Sequence, residues 1–126
     1  MLDNFREFDA GPDPFGKTWH VEFAWLQTAI AIRHADAVDV KFFLSDGERT
    51  MEKVIALPHA ALREIARRRA RRLSDPWCSR LAALHLKHMI ESGEDMEKTL
   101  VTVPPERLEE LADELEPAAS PAAGGR

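Results

Sequence analysis

Alternation of apolar and polar residues predicts a strand early in the chain. Apolar side chains occupy every second position of one stretch, at Trp19, Val21, Phe23 and Trp25. This two-residue period is typical of a strand with one buried face, and it places all four side chains on that face. Between Leu26 and His34 the pattern fits either a strand or a helical stripe, and we expect a strand.

The next stretch predicts a β-hairpin. Its inward-facing residues alternate with polar or exposed ones and are Val38, Val40, Phe42 and Leu44. Asp46-Gly47 supplies the two central residues of a type I′ turn before the return strand. That turn pairs Lys41 with Glu52, Phe42 with Met51 and Val38 with Ile55. Lys53 falls opposite Val40, and we expect it near the sheet margin with its ammonium in water.

Helical spacing predominates after Pro58. A first helix begins there and carries an apolar stripe of Leu62, Ile65, Ala66 and Leu73. Ser74-Asp75-Pro76 begins a second helix, which Gly93 ends. A short strand, Thr99–Val103, precedes a third helix that opens at Pro104-Pro105. The order β-β-β-α-α-β-α predicts an α+β fold, in which a small antiparallel sheet of about four strands is packed on one face by helices.

The two ends of the chain differ from its middle. Residues 1–16 combine glycines and prolines with Phe5, Phe8 and Phe15, and we predict an irregular N-terminal arm whose aromatic rings dock on the body. Residues 17–116 form a single α+β domain. Residues 117–126 are rich in proline, alanine and glycine and are predicted to be a disordered C-terminal tail. A length of 126 residues suits one hydrophobic core.

Composition bears on the cellular compartment. The single cysteine, Cys78, cannot form an internal disulfide. The longest uncharged stretch, Phe23–Ile32, is half of the ~20 residues that a membrane-spanning helix needs. The charged N-terminus lacks the apolar segment of a secretory signal. We therefore expect a cytoplasmic protein without a membrane partner.

One motif match has the wrong context. Residues 11–18 satisfy the phosphate-loop pattern G-x-x-x-x-G-K-[ST] at every fixed position. However, Pro12 and Pro14 remove two of the N–H donors that such a loop uses, and Asp13 adds a negative charge. A buried strand should precede the loop and a helix should follow it, and the pattern predicts neither. We expect a turn into the first strand, and no cofactor.

Basic residues are concentrated in one segment. Residues 58–88 hold eight basic and two acidic side chains, a local charge of +6 in a chain of net charge −5, so the remainder carries −11. The candidate interaction residues here are Arg67, Arg68, Arg69, Arg71 and Arg72. Arg69 falls inside the apolar arc of the helix, so it must pair with a buried carboxylate, extend past the helix end into water, or face a partner.

The arginine helix, Arg63–Arg72, allows two interpretations. Clustered guanidinium groups are typical of nucleic-acid or polyanion binding. The alternative is neutralisation by residues 91–116, which hold ten acids and two bases, either within one molecule or across a dimer. We favour neutralisation, because the segment offers no aromatic stacking platform and the second helix is apolar.

The second helix carries a weaker candidate. His85 and His88, with Cys78 two turns earlier, are possible metal ligands, or His85 and Cys78 a base and nucleophile. Two ligands on one helix do not make a site, and core packing explains these residues more simply. We therefore expect no metal, and a non-catalytic protein in preference to an enzyme.

The remaining interpretation is a protein-interaction or regulatory module that forms a homodimer or binds another protein. Phe43 is its principal candidate residue, because it lies on the polar face of its strand. A helix covering that second face would account for Phe43 equally well. Nucleic-acid binding through Arg63–Arg72 and a metal or thiol site at Cys78, His85 and His88 remain the two alternatives.

Overall fold

The described part of the chain folds into a mixed sheet and three helices. A computed structural model describes residues 4–29 and 36–115. Its strands are β1 (Glu7–Ala10), β2 (Trp19–Ala29), β3 (Ala37–Ser45), β4 (Thr50–Pro58) and β5 (Leu100–Thr102), and its helices are α1 (His59–Arg68), α2 (Asp75–Ser92) and α3 (Pro105–Leu115). The strands lie in chain order across the sheet, antiparallel except for the parallel pair β4 and β5. The α+β fold is confirmed, with five strands in a mixed sheet rather than about four in an antiparallel one.

Strand β1 lies in the segment predicted to be an irregular arm, and the prediction is wrong for Glu7–Ala10. This strand pairs with β2, and Phe5 beside it is buried with its ring in edge-to-face contact with Phe23 at 6.1 Å. Its four-residue alternation is too short to stand out beside the glycines and prolines. The division into an arm, a domain of residues 17–116 and a tail stays a prediction, and residues 117–126 lie outside the described part.

The hairpin register differs from the predicted one by two residues. Ser45 pairs with Thr50, so four residues, 46–49, form the loop and Phe42 lies opposite Lys53. The cause is Asp46, whose Oδ1 accepts hydrogen bonds from the backbone N–H groups of Glu48 at 2.9 Å and Arg49 at 2.8 Å. Asp46 thus begins the turn instead of lying at its centre. Because the shift is even, each side chain keeps its predicted face.

A β-bulge in β2 changes the face of Trp25. Phe23 pairs with Phe42, but Trp25 pairs with Lys41, so Ala24 is the extra residue. Beyond the bulge the alternation is reversed, and Trp25 points away from the core with 37% of its surface exposed. The prediction that Trp25 faces inward is therefore wrong. Strand β2 continues to Ala29, which agrees with a strand after Leu26, while residues 30–35 are outside the described part.

All three helices share one core with a single face of the sheet. That face contributes fully buried side chains, namely Val21, Val40, Phe42, Leu44, Ile55 and Leu57. The helices contribute residues of the same cluster, including Leu62 and Ile65 of α1, Leu81, Leu86 and Ile90 of α2, and Leu108 and Leu111 of α3. As predicted, Ser74 caps α2 by accepting a hydrogen bond from the Trp77 N–H, and Gly93 ends it with a left-handed backbone.

Lys53 is buried beneath the sheet rather than placed at its margin. It is 2% exposed, and its ammonium donates hydrogen bonds to the backbone carbonyls of Met96 and Lys98. Burial lowers the pKa of this ammonium, against the opposing effect of Glu97 and Asp95. The contacts fix the chain just before β5, which has only three residues to hold it against β4.

Helix α1 ends earlier than the sequence predicts. It stops at Arg68, and Ala70 adopts a left-handed backbone with φ of 51°. The N–H of Arg71 then bonds to the Ala66 carbonyl at 2.8 Å, the closing bond of a Schellman motif. Arg71, Arg72 and Leu73 consequently lie beyond the helix, although Leu73 still packs against the core.

We predict that Lys53→Met lowers the free energy of unfolding by about 2 kcal/mol, because methionine fills the space but leaves the part-buried carbonyls of Met96 and Lys98 without their donor. Denaturant unfolding measures the change. Lys98→Met is the matched control, since its own ammonium is exposed and such surface changes stay within about 0.5 kcal/mol. Equal stability of the two variants would contradict the structural role of Lys53.

Candidate interaction surface

The sheet face opposite the helices carries a row of large side chains. Hydrogen-bonded register aligns Trp25, Lys41, Val54 and Leu100 across β2 to β5. With Phe43, two residues further along β3, they form what we call the open face. Trp25 is 37%, Phe43 41% and Leu100 58% exposed. An apolar row of this kind across a sheet is typical of an association surface.

Lys41 organises the open face. Its ammonium lies 5.8 Å from the centroid of the Trp25 ring and 5.2 Å from that of Phe43. It also forms an ion pair with the Glu52 carboxylate at 2.5 Å. Cation–π contact with two rings and the ion pair together hold the aromatic side chains in place. Lys41 therefore links the two rings to each other within one molecule.

Sequence reasoning found part of this surface. Phe43 lies on the outer face as predicted, and no helix within residues 4–29 or 36–115 covers it. The alternative of a covering helix is thus without support in the described part of the chain. Trp25 and Leu100 were missed. The bulky pair Trp25-Leu26, which interrupts strict alternation, is the signal that predicts a bulge.

The candidate Arg69 is neutralised within the molecule. Its guanidinium lies 2.6 Å from Asp113 Oδ1 and 3.3 Å from Glu109 Oε1, both on α3, and its side chain is 19% exposed. Arg68 also pairs with Glu109. Arg69 thus pairs with carboxylates, as one of the three predicted arrangements requires, but these carboxylates are not buried, since Asp113 is 71% exposed. The acidic third helix and the basic first helix therefore contact each other.

The other candidate arginines differ in their surroundings. Arg67 pairs with Glu64 at 2.7 Å, and this contact raises the pKa of the guanidinium and lowers that of the carboxyl. The guanidinium carbon of Arg71 lies 5.5 Å from the Trp77 ring centroid. Within the arginine helix, Arg63 and Arg72 are exposed and form no ion pair with a residue of the described ranges. Carboxylates therefore neutralise part of the predicted cluster, at Arg67, Arg68 and Arg69.

Cys78, His85 and His88 do not converge on one point. Cys78 and His85 are separated by about two helical turns, roughly 10 Å along the axis. His88 Nε2 instead contacts Glu114 Oε1 at 2.9 Å. Burial lowers the pKa of His85 to about 4, with a smaller effect of Arg107, and raises that of Cys78 to about 12. At neutral pH the imidazole of His85 is uncharged and the thiol is protonated, which suits core residues.

A different set of side chains has donor atoms close enough for a metal. Glu7, His20 and Glu22 of β1 and β2 bring one ligand atom each within 4.8 Å of the others. However, Asp9 Oδ1 lies 2.9 Å from His20 Nδ1 and Glu7 Oε2 lies 2.9 Å from His20 Nε2. These contacts, Asp9 first, raise the pKa of His20. A metal ion at His20 would have to compete with these two contacts of its ring nitrogens.

In the loop with the phosphate-binding pattern, the carboxylate of Asp13 accepts the hydrogen bonds that a phosphate would receive. Asp13 Oδ1 accepts hydrogen bonds from the backbone N–H groups of Phe15 at 2.9 Å and Lys17 at 2.8 Å. Asp13 Oδ2 accepts one from Trp19 Nε1 at 3.1 Å. These bonds, that of Lys17 first, lower the pKa of Asp13. The N–H groups that would bind a phosphate are thus engaged, in agreement with the predicted turn.

Comparison with protein families, curated proteins and solved structures finds no match for this chain. Among the described helices, none is long and apolar enough to cross a bilayer.

We predict that Cys78 is unreactive in the folded protein, because a thiol with a pKa of about 12 is protonated up to strongly alkaline pH. At pH 8, reaction with a disulfide reagent such as DTNB should proceed only at the rate of unfolding and should become complete in denaturant. Rapid stoichiometric labelling of the native protein would instead support a reactive thiol.

Proposed function

We propose that this protein is a non-catalytic interaction module that binds a second copy of itself through the open face. The observation that carries the proposal is the exposure of Trp25, Phe43 and Leu100 on the side of the sheet away from the helices. Aromatic side chains are enriched in the cores of protein interfaces, and association removes them from water.

The two ends of the row suit a symmetric dimer. The bulky indole of Trp25 is at the β2 end, and the smaller Leu100 is at the β5 end. The two-fold axis of such a dimer lies between the two stacked sheets, parallel to the strands and level with the gap between β3 and β4. Rotation about this axis places the β5 end of the row in one copy opposite the β2 end in the other. Each Trp25 then contacts Leu100 of the other copy, a large side chain against a smaller one.

The open face is the centre of a larger sheet surface. Strands about 4.8 Å apart, with a rise of about 3.3 Å per residue, give the five-stranded sheet a width of roughly 20 Å and its long central strands a length of roughly 30 Å. That is the scale of the ~800 Å² per partner that a standard interface buries. Two such faces pack about 10 Å apart in aligned sheet-on-sheet packing.

Other features favour this function over the alternatives. Arg68 and Arg69 engage carboxylates of α3, which leaves less unpaired positive charge for a polyanion. The neutral His85 and protonated Cys78 suit a core better than a catalytic centre. A cytoplasmic location is part of the proposal, because a single buried thiol suits a reducing compartment. A regulatory role would act through the same surface.

Sedimentation velocity over a range of concentrations tests the proposal. We expect a concentration-dependent dimer, and we expect Phe43→Ser to weaken its dissociation constant at least tenfold. Phe15→Ser is the matched control, because Phe15 is 88% exposed on the loop between β1 and β2 and lies outside the open face. A wild-type monomer at every concentration, or equal dimerisation of the two variants, would contradict the proposal.

A further inference from the structure

A cavity on the helix-covered side of the sheet is not used by the proposed interaction. Its volume is about 450 Å³, and it lies between the loop after β1, strand β4 and the segment after α2. Its apolar lining includes Phe15, Trp19, Met51 and Met96. Pockets that hold small molecules in proteins are of this size and are mostly apolar.

The wall formed by the loop of residues 11–17 is fixed by Asp13. Its carboxylate binds the backbone N–H groups of Phe15 and Lys17 and the indole N–H of Trp19. All three donors belong to residues that line the cavity. The carboxylate thus joins the loop to the first residue of β2, and the loop keeps its shape through its own hydrogen bonds.

Hydrogen bonds also hold the other two walls of the cavity, at the β3–β4 loop and in the segment after α2. Asp46 binds the backbone N–H of Arg49 at 2.8 Å and the ammonium of Lys17 at 3.1 Å. The backbone carbonyl of Met96 is held by the buried ammonium of Lys53. Anchors in three different elements therefore preform the cavity, and preformed sites lose less conformational entropy when a ligand binds.

The lining carboxylate of Asp13 is already bound by three N–H donors, so the choice of ligand depends on the cationic lining residues. Arg49 lines the cavity and forms no ion pair with any residue of the described ranges. Lys17, the other cationic lining residue, already has Asp46 as its partner. An exposed guanidinium beside apolar walls suits a carboxylate, which it can bind through two parallel hydrogen bonds.

We propose that this cavity binds a small amphipathic carboxylic acid, whose apolar body contacts Phe15, Met51 and Met96 and whose carboxylate pairs with Arg49. The flexible thioethers of Met51 and Met96 adapt to different apolar bodies, so the site recognises a chemical class more than one shape. Binding also covers the ring of Phe15, which is otherwise 88% exposed.

Titration of ¹⁵N-labelled protein with octanoate and, in parallel, with 1-octanol tests this site by NMR. We expect shift changes at Phe15, Lys17, Met51 and Met96, with octanoate binding about tenfold more tightly than octanol. Arg49→Gln should abolish that preference. Arg63→Gln, which changes an exposed arginine on α1, is the matched control and should keep it.

Three results would overturn the proposal: octanol binding as tightly as octanoate, unchanged octanoate affinity in Arg49→Gln, or shift changes confined to other surfaces. Met51 pairs with the inward-facing Leu44, whereas Phe43 lies on the opposite face of the sheet. The amide of Phe43 therefore serves as the reporter of the open face. Failure here leaves the dimer proposal intact, and absence of a dimer leaves this site intact.

Discussion

In the described part of the chain, the structure depends on burial of one face of the sheet against three helices. Phe42, Leu44 and Ile55 have no exposed surface, whereas Phe43 between the first two is 41% exposed. Apolar burial stabilises the fold by roughly 25 cal/mol for each Å² removed from water, and here the inner face supplies it. The outer face keeps its aromatic side chains available to a partner, because the described helices all lie on the other side.

Ion pairs between helices neutralise two of the eight basic side chains of residues 58–88, Arg68 and Arg69. The segment with a local charge of +6 includes α1, and Arg68 and Arg69 meet the carboxylates of Glu109 and Asp113 on α3. Half-exposed pairs of this kind each contribute little to stability. Their structural effect is to orient α3 beside α1, so the acidic helix serves as the counterpart of the basic one instead of as a separate surface.

Sequence reasoning succeeded where the controlling interactions are local. Strict alternation placed Phe43 outward, and Ser74 and Gly93 marked both ends of α2. It failed where a single side chain changes the local backbone, or where a contact with a distant part of the chain determines whether a residue is buried. The Asp46 carboxylate changed the hairpin loop, and the carbonyls that bind Lys53 come from more than forty residues away. The open face was predicted only at Phe43. Trp25 was not predicted to lie there, because the bulge at Ala24 determines which face of the sheet its side chain is on.

The central claim is that two copies meet through their open faces, and intermolecular NOEs test it most directly. A mixed sample contains equal amounts of ¹³C-labelled and unlabelled protein, and a filtered experiment detects only contacts between copies. The account predicts NOEs between the indole of Trp25 in one copy and the methyl groups of Leu100 in the other. Intermolecular NOEs confined to α1 and α3, or none at concentrations where the protein is fully dimeric, would contradict it.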